Sequence, residues 1–437
     1  MLRLSAFLLF IVMTSQASAL TFKSGESIGQ NTSDNDNQVI IFDSNEFELP
    51  DSIKFQPNDA TLWHYYSKVI DQRFRVDKHY RVMPDGEVTQ LNYNLRNNSY
   101  LHEQLTKTSL MSYLFWERGS IIFDEISPKE RFNGELAKSA YFPSHSMGKS
   151  LTSYLIGHAI CDGYIASIDE PISDWKLMES TLYYGQPLID LLNMRAGDTN
   201  VIRRWEGRYT NTGRHIHNIP LALAAENNEE LKNTKPVANA KWSYSNLTSD
   251  VLTSYLMHRV GHDYEQFLTN IFQKKIGIER PIYFSFSPTK RGGFLPTMLE
   301  RIKDGAGEYS YIASRYDFLR VAIAMLSDWK NNTCVGQYLK EIHKRRIPTR
   351  RNAKWNRSRA GNGFNSFSQA SKSYGGQFWM DIVGLENKEI FVMTGYNGQQ
   401  IGIDMKNERI VVLHAAKSKH YSTKRLGLDV LKNGNLD

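Results

Sequence analysis

The sequence predicts an α/β (α+β) fold: an antiparallel sheet assembled from both ends of the chain, flanked by helices, with a helical lobe inserted between. Three observations carry this. Residues Ser112 to Ile126 read as a strand, a glycine turn and a second strand. A long middle stretch places apolar residues at helical spacing. Near the C-terminus, Phe378–Val383, Glu389–Thr394, Gln400–Asp404 and Arg409–His414 read as successive antiparallel strands, joined by turns at Gly384, Tyr396-Asn397-Gly398 and Lys406-Asn407.

The elements follow in order. Arg3, the apolar run Leu4 to Met13 and the small-x-small site Ala17-Ser18-Ala19 predict an export signal over residues 1–19, cleaved after Ala19. The run is too short to span a bilayer comfortably, and no cysteine follows it to take a lipid. The expected destination is therefore the periplasm or the exterior. Residues 20–58 are polar, rich in Asn, Asp and Ser, and read as a loosely ordered extension. Residues 59–109 mix aromatics with turn signals and are left unassigned. The domain proper is expected over 110–437, with its helical lobe at about 150–290. Helices are predicted at Ser144 to Cys161, Pro187 to Ala196 (stopped by Gly197), Ser249 to Val260, Asp263 to Lys274, Tyr316 to Trp329 and Lys424 to Leu431.

Composition narrows the function classes. A hydrophobic content of 41% is ordinary for a globular protein, and the net charge is +7. Much of that excess is local: Lys344 to Arg359 holds eight basic residues and no acidic one. This run reads either as a solvated loop or as a surface for an anionic partner. Nucleic acid is not expected for an exported chain with no nucleic-acid motif. No segment after the signal is long and apolar enough for a membrane helix. Cys161 and Cys334 permit one disulfide after export, while a buried free thiol at Cys161 stands equally open.

The chemistry concentrates at Ser146-Met147-Gly148-Lys149, which opens a predicted buried helix. A serine hydroxyl is a poor nucleophile near neutral pH and needs a base within hydrogen-bond reach. Residues three apart share a helix face, so Lys149 stands beside the Ser146 hydroxyl. The free N–H groups at a helix N-terminus favour the oxyanion formed in acyl transfer. Ser-x-x-Lys also occurs at Ser173, Ser287 and Ser327, but only the Ser146 copy opens an apolar helical run. Tyr244-Ser245-Asn246 precedes another helix. A tyrosine beside a lysine can take the serine proton and pass it to the leaving group, and an asparagine two residues on can hold the lysine and the substrate carbonyl region. Tyr209-Thr210-Asn211 fits the same Tyr-x-Asn pattern. Gly395-Tyr396-Asn397-Gly398-Gln399 joins two strands. It reads either as a plain hairpin turn or as a substrate-facing loop in which the backbone N–H after Gly398 is a second oxyanion donor. His215-x-His217 lacks a carboxylate partner, so no metal is expected, and with no phosphate-binding glycine loop no cofactor is expected either.

Taken in order, these pieces resemble the serine hydrolases related to class C β-lactamases, a group that includes penicillin-binding D-Ala-D-Ala carboxypeptidases, esterases and 6-aminohexanoate-dimer hydrolases. The segments that carry the resemblance are Phe142 to Lys149, Gly163-Tyr164-Ile165 leading to Ile168-Asp169-Glu170-Pro171-Ile172, Leu188 to Gly197, Tyr244-Ser245-Asn246, and Gly395 to Gln399 followed by Ile403-Asp404. The resemblance implies a β-lactamase/transpeptidase-like fold with the active site between sheet and helical lobe. It implies Ser146 as acylated nucleophile, Lys149 as its activator, Tyr244 as general base and acid, and Asn246 in support. Tyr396, Asn397, Gly398 and Gln399 are the expected oxyanion and substrate-binding turn. Such enzymes carry Lys-Thr-Gly on the third motif strand, to hold the carboxylate of a β-lactam or peptidyl-D-alanine. Here Tyr396-Asn397-Gly398 stands at the expected place, and Lys23-Ser24-Gly25 lies in the polar extension. The motif forms look closer to the esterase and 6-aminohexanoate-dimer hydrolase branch. The expected activity is an exported serine hydrolase of a small-molecule or peptide-like ester or amide. The alternatives are a catalytically inactive binding protein on the same fold and a D-Ala-D-Ala carboxypeptidase-like enzyme.

Overall fold

The computed structural model describes residues 79–132, 134, 136–198, 204–205, 208–209, 231–286, 298–303, 305, 307–349, 366–416 and 421–436. The expected signal, the polar extension with Lys23-Ser24-Gly25, the Ser287 copy of Ser-x-x-Lys, Thr210 and Asn211, the His215 and His217 pair and residues 350–359 of the basic run lie outside them. Among the described residues no helix is long and apolar enough to cross a membrane.

The chain begins with strands β1 (His79–Val82) and β2 (Asn92–Tyr93), helix α1 (Ser99–Lys107) and the hairpin β3 (Leu110–Glu117) and β4 (Ser120–Ile126). Strand β5 (Tyr141–Pro143) leads into α2 (Met147–Cys161), followed by α3 (Leu188–Leu192) and the two-residue strands β6 (Arg204–Trp205) and β7 (Arg208–Tyr209). Then come α4 (Asn246–Val260), α5 (Tyr264–Thr269, continued by a π-helical turn Asn270–Ile276), β8 (Ile282–Phe286), α6 (Met298–Lys303) and β9 (Gly307–Ser314). Helices α7 (Arg315–Lys330) and α8 (Cys334–Lys344) precede β10 (Ile347–Pro348), α9 (Phe367–Ala370), β11 (Ser371–Gly375), β12 (Phe378–Ile382), β13 (Ile390–Thr394), β14 (Gln400–Asp404), β15 (Arg409–Ala415) and a closing helical segment, Lys424–Asp429 and Val430–Asn433.

The main sheet has nine strands in the order β10-β11-β12-β13-β14-β15-β3-β4-β2. Strand β15 pairs antiparallel with β3, with Trp116 opposite Ile410 and Leu114 opposite Val412, so the two ends of the chain meet at the centre as expected. Both faces are covered. Leu114, Trp116, Ile410 and Val412 pack with α2, α4 and α7. Tyr113, Phe115, Val411 and Leu413 face the other way, onto α1, α9 and the C-terminal helix. Burial on both faces is why β3 reads as a continuous apolar run rather than an alternating one.

One expectation needs correction: there is a second sheet, β1-β8-β9-β5. Apart from β9 its strands are short, and β1 and β5 lie far from their partners in sequence, so no local pattern announces it. It matters because β5 runs directly into α2. Helix α8 was also not anticipated. Its apolar positions Val335, Tyr338, Leu339 and Ile342 are helically spaced and Thr333 caps it, but the basic residues at its end resemble a loop. In that described part of the basic run, Arg345 pairs with Asp169 and Arg346 with Asp381, each at 2.7 Å. Of the other Ser-x-x-Lys copies, Ser327 and Lys330 are exposed at the end of α7, and Ser173 lies in a loop.

Helix α2 is buried on nearly all sides. Its small polar residues each find a partner in a different neighbour. Ser150 donates to the Gln377 carbonyl, Thr152 bonds Thr253 of α4, and Ser153 bonds the Tyr338 hydroxyl of α8. The far end of α2 is tied to α8 by a disulfide, Cys161–Cys334, which settles the open question between bridge and free thiol. The two cysteines are 173 residues apart. Closing a loop of that length removes about 5 kcal/mol of unfolded-state freedom in the chain-entropy model, and losses of roughly 2–5 kcal/mol follow removal of native bridges. Cys161→Ser with Cys334→Ser is expected to lower the urea unfolding free energy by such an amount. An unchanged midpoint for the double variant would show that the bridge contributes nothing.

Candidate active site

The junction between β5 and α2 is anchored to β9. The Ser144 N–H donates to the Tyr311 carbonyl at 2.7 Å, and the Tyr311 N–H returns to Ser144 Oγ at 2.9 Å. His145 turns the chain with φ of +46°, a conformation few non-glycine residues adopt. Ser146 then takes the N-cap position of α2 without a side-chain cap bond, and Lys149, one turn on, is buried with 1% of its surface exposed. Lys149 Nζ donates to Ser146 Oγ at 3.2 Å. Burial pushes the Lys149 ammonium well below its usual range, because a desolvated cation is disfavoured; the nearby Asp250 carboxylate opposes the shift without reversing it. A neutral amine against a serine hydroxyl is a nucleophile with its base.

Gly148 explains how a third partner arrives. A β-carbon on residue 148 would lie 1.8 Å from the Tyr309 carbonyl oxygen, so only glycine lets β9 run this close to α2. The approach delivers Tyr309. Its ring centroid is 3.2 Å from Lys149 Nζ, and its hydroxyl donates to Asn246 Oδ1 at 3.3 Å.

Tyr244 arrives from the opposite wall. Its ring centroid is 5.2 Å from Lys149 Nζ, and it stacks on Trp379 of β12 at 5.7 Å with Tyr374 of β11 at its edge. The Tyr244-Ser245-Asn246 segment is held by a buried carboxylate, Asp198, which accepts from the hydroxyls of Tyr183, Ser245 and Thr248. Ser245 also caps α4 by accepting from the Thr248 N–H. Gln377, between β11 and β12, binds the lobe to the sheet: its amide donates to the Leu191 and Leu192 carbonyls and accepts from Ser249.

Strand β13 closes the site. A β-carbon on Gly395 would lie 2.4 Å from the Ser144 carbonyl oxygen, so the strand end presses on the nucleophile junction. Just beyond, the Tyr396 ring meets His145 edge-on at 5.8 Å and is exposed at the rim.

This arrangement of helices on a mixed-order antiparallel sheet is shared with known structures. A protein from Bacillus anthracis assigned as a 6-aminohexanoate-dimer hydrolase superposes with a TM-score of 0.54 at 12% identity, covering 88% of this chain and 98% of its own. A protein from Bacteroides dorei assigned as a β-lactamase superposes with a TM-score of 0.50 at 15% identity, covering 76% and 96%. The chain has a β-lactamase/transpeptidase-like fold. No protein-family model and no curated protein sequence matches it.

Within this β-lactamase-like fold, Ser146, Lys149, Tyr244 and Asn246 come together from α2 and the start of α4. Asn246 differs from expectation in its partner: its amide oxygen holds Tyr309. The turn divides. Tyr396 reaches the rim and Asn397 is buried in a left-handed conformation with φ of +58°. Gly398 is buried, and its carbonyl accepts from the Tyr421 hydroxyl. The Gln399 side chain turns into the sheet, bonding His414 Nδ1 and the Ala415 carbonyl, so only its backbone can serve the site. The third motif strand also needs correction. Gly395, not Gly398, abuts the nucleophile junction, and the residues before it on β13 are Met393 and Thr394. No lysine lies on β13. Tyr309, Asp250, Asp198 and Gln377 were missed. Gly148, inside the nucleophile motif, was the one local sign that another backbone passes there.

Proposed function

We propose that the protein is an exported serine hydrolase that cleaves an ester or amide bond through an acyl-enzyme on Ser146. The observation that carries the reading is the buried Lys149 amine 3.2 Å from the Ser146 hydroxyl. Lys149 takes the serine proton as Ser146 attacks, and Tyr244 is the relay partner expected from the Tyr-Ser-Asn motif. The Ser146 N–H at the start of α2 and a backbone N–H of the Gly395 to Gln399 turn are the proposed oxyanion donors. The disulfide supports export, since such bonds persist outside reducing cytoplasm. Neighbours named as a 6-aminohexanoate-dimer hydrolase and a β-lactamase support the bond class. With methionine and threonine before Gly395, the strand offers no cation for a substrate carboxylate, which favours an uncharged group there.

The test is parallel treatment of the purified protein with a fluorescent fluorophosphonate and a fluorescent penicillin, with the label located by mass spectrometry. Label on Ser146 from the fluorophosphonate alone is the expected result. Label from both would place penicillin-like substrates within its range. No label on folded protein would overturn the enzyme reading in favour of a binding role.

A further inference from the structure

We infer that Tyr309 is a catalytic residue of this site, giving its hydroxyl proton to the leaving group as the acyl-enzyme forms. The inference rests on the serine hydrolase reading above and goes beyond it, because the residue expected in that role is Tyr244.

Three observations place Tyr309 in the reaction. The Ser146 side chain lies near enough to its hydroxyl to act on it electrostatically. Its ring face lies 3.2 Å from Lys149 Nζ, against 5.2 Å for the Tyr244 ring, so a cation on Lys149 sits on Tyr309 first. Its position is built in from both sides, by the Gly148 contact on the backbone and by Asn246 Oδ1 on the hydroxyl. Tyr244 is held in an aromatic stack with Trp379 and Tyr374, an arrangement that fixes a ring. Burial, with the Asp250 charge second, keeps the Tyr309 phenol protonated, so it has a proton to give.

The step balances. Ser146 Oγ bonds to the acyl carbon and its proton passes to Lys149 Nζ. The bond from the acyl carbon to the leaving heteroatom then breaks, its electron pair staying on the heteroatom. The Tyr309 hydroxyl turns from Asn246 and protonates that atom. The Lys149 ammonium, seated on the ring face, neutralises the phenolate and returns the serine proton to it, restoring both groups.

The role predicts a dependence on the leaving group that a merely structural tyrosine would not produce. A p-nitrophenolate leaves without protonation, whereas an alkoxide requires it. Matched butyrate esters separate the two cases. Tyr309→Phe is expected to lower kcat/KM about 10²-fold or more for ethyl butyrate while changing p-nitrophenyl butyrate less than about 5-fold. Tyr244→Phe should show the smaller leaving-group dependence of the two. Equal losses of Tyr309→Phe on both esters, no loss, or a leaving-group dependence seen only in Tyr244→Phe would overturn the inference. Thermal melting and fluorophosphonate labelling of Ser146 in the variant check that the site is intact. Should Tyr309→Phe fail to fold, a fluorinated tyrosine at 309 keeps the shape and makes the phenol more acidic. The pH profile for ethyl butyrate should then move to lower pH, and an unmoved profile would count against the role. A wild-type protein that takes no fluorophosphonate label would instead remove the hydrolase reading itself, so the two failures are distinct.

Discussion

Lys149→Met is expected to lower kcat/KM for an activated ester by about 10³- to 10⁴-fold, the range lost when a positioned general base is removed. Methionine fills similar space, so the packing of α2 is kept and the loss reports the amine. The pH dependence has a definite sign. In the proposed mechanism Lys149 works as a neutral base, and burial holds its pKa below the ordinary lysine value. Activity is therefore expected above that lowered pKa and lost as pH falls through it. Asp250 favours the ammonium, so Asp250→Asn should lower the Lys149 pKa further and move the acidic limb of the profile to lower pH. A pH–rate profile of wild type and Asp250→Asn measures this. A limb that moves to higher pH, or a Lys149→Met enzyme with near wild-type turnover, would mean that the lysine is not the base.

Gly148→Ala should be among the most damaging small substitutions at the described residues. On helix propensity alone it should help, by up to about 1 kcal/mol. The added methyl, however, would lie 1.8 Å from the Tyr309 carbonyl oxygen and 2.8 Å from its carbon, and both are backbone atoms that cannot swing aside. Either β9 retreats or α2 shifts, at a cost of roughly 1–3 kcal/mol or more. The steric term wins. Because the Tyr309 hydroxyl and the Ser146–Lys149 pair sit on the two surfaces forced apart, labelling of Ser146 should slow along with the fall in stability. Thermal unfolding and fluorophosphonate labelling rates measure both. A variant as stable as wild type, labelled at the same rate, would show that the strand does not bear on the helix at this point.

These two residues also mark how far the sequence could be read. Ser146 and Lys149 were legible because three-residue spacing on a helix is a local geometric fact, and the apolar run that follows identifies this copy of the motif among four. The β3–β4 hairpin and the C-terminal strands were legible because strand and turn signals are also local. The second sheet was not, because its pairings join β1 to β8 and β5 to β9 across more than a hundred residues. Tyr309 shares that fate: nothing near it in sequence distinguishes it from the other tyrosines. Within the Gly395 to Gln399 turn, only the tertiary contact shows that Gly395 packs on Ser144, two residues before Ser146.

By itself, then, the sequence determined the Ser146–Lys149 pairing on one helix face and the order of most strands and helices. Each of these depends on residues within a few positions of one another. The tertiary structure alone decided that Cys161 and Cys334 bond, that Lys149 is buried, and that Tyr309 joins Lys149 and Asn246 beside Ser146. Those outcomes depend on desolvation and on contacts between segments remote in the chain, which no local pattern encodes.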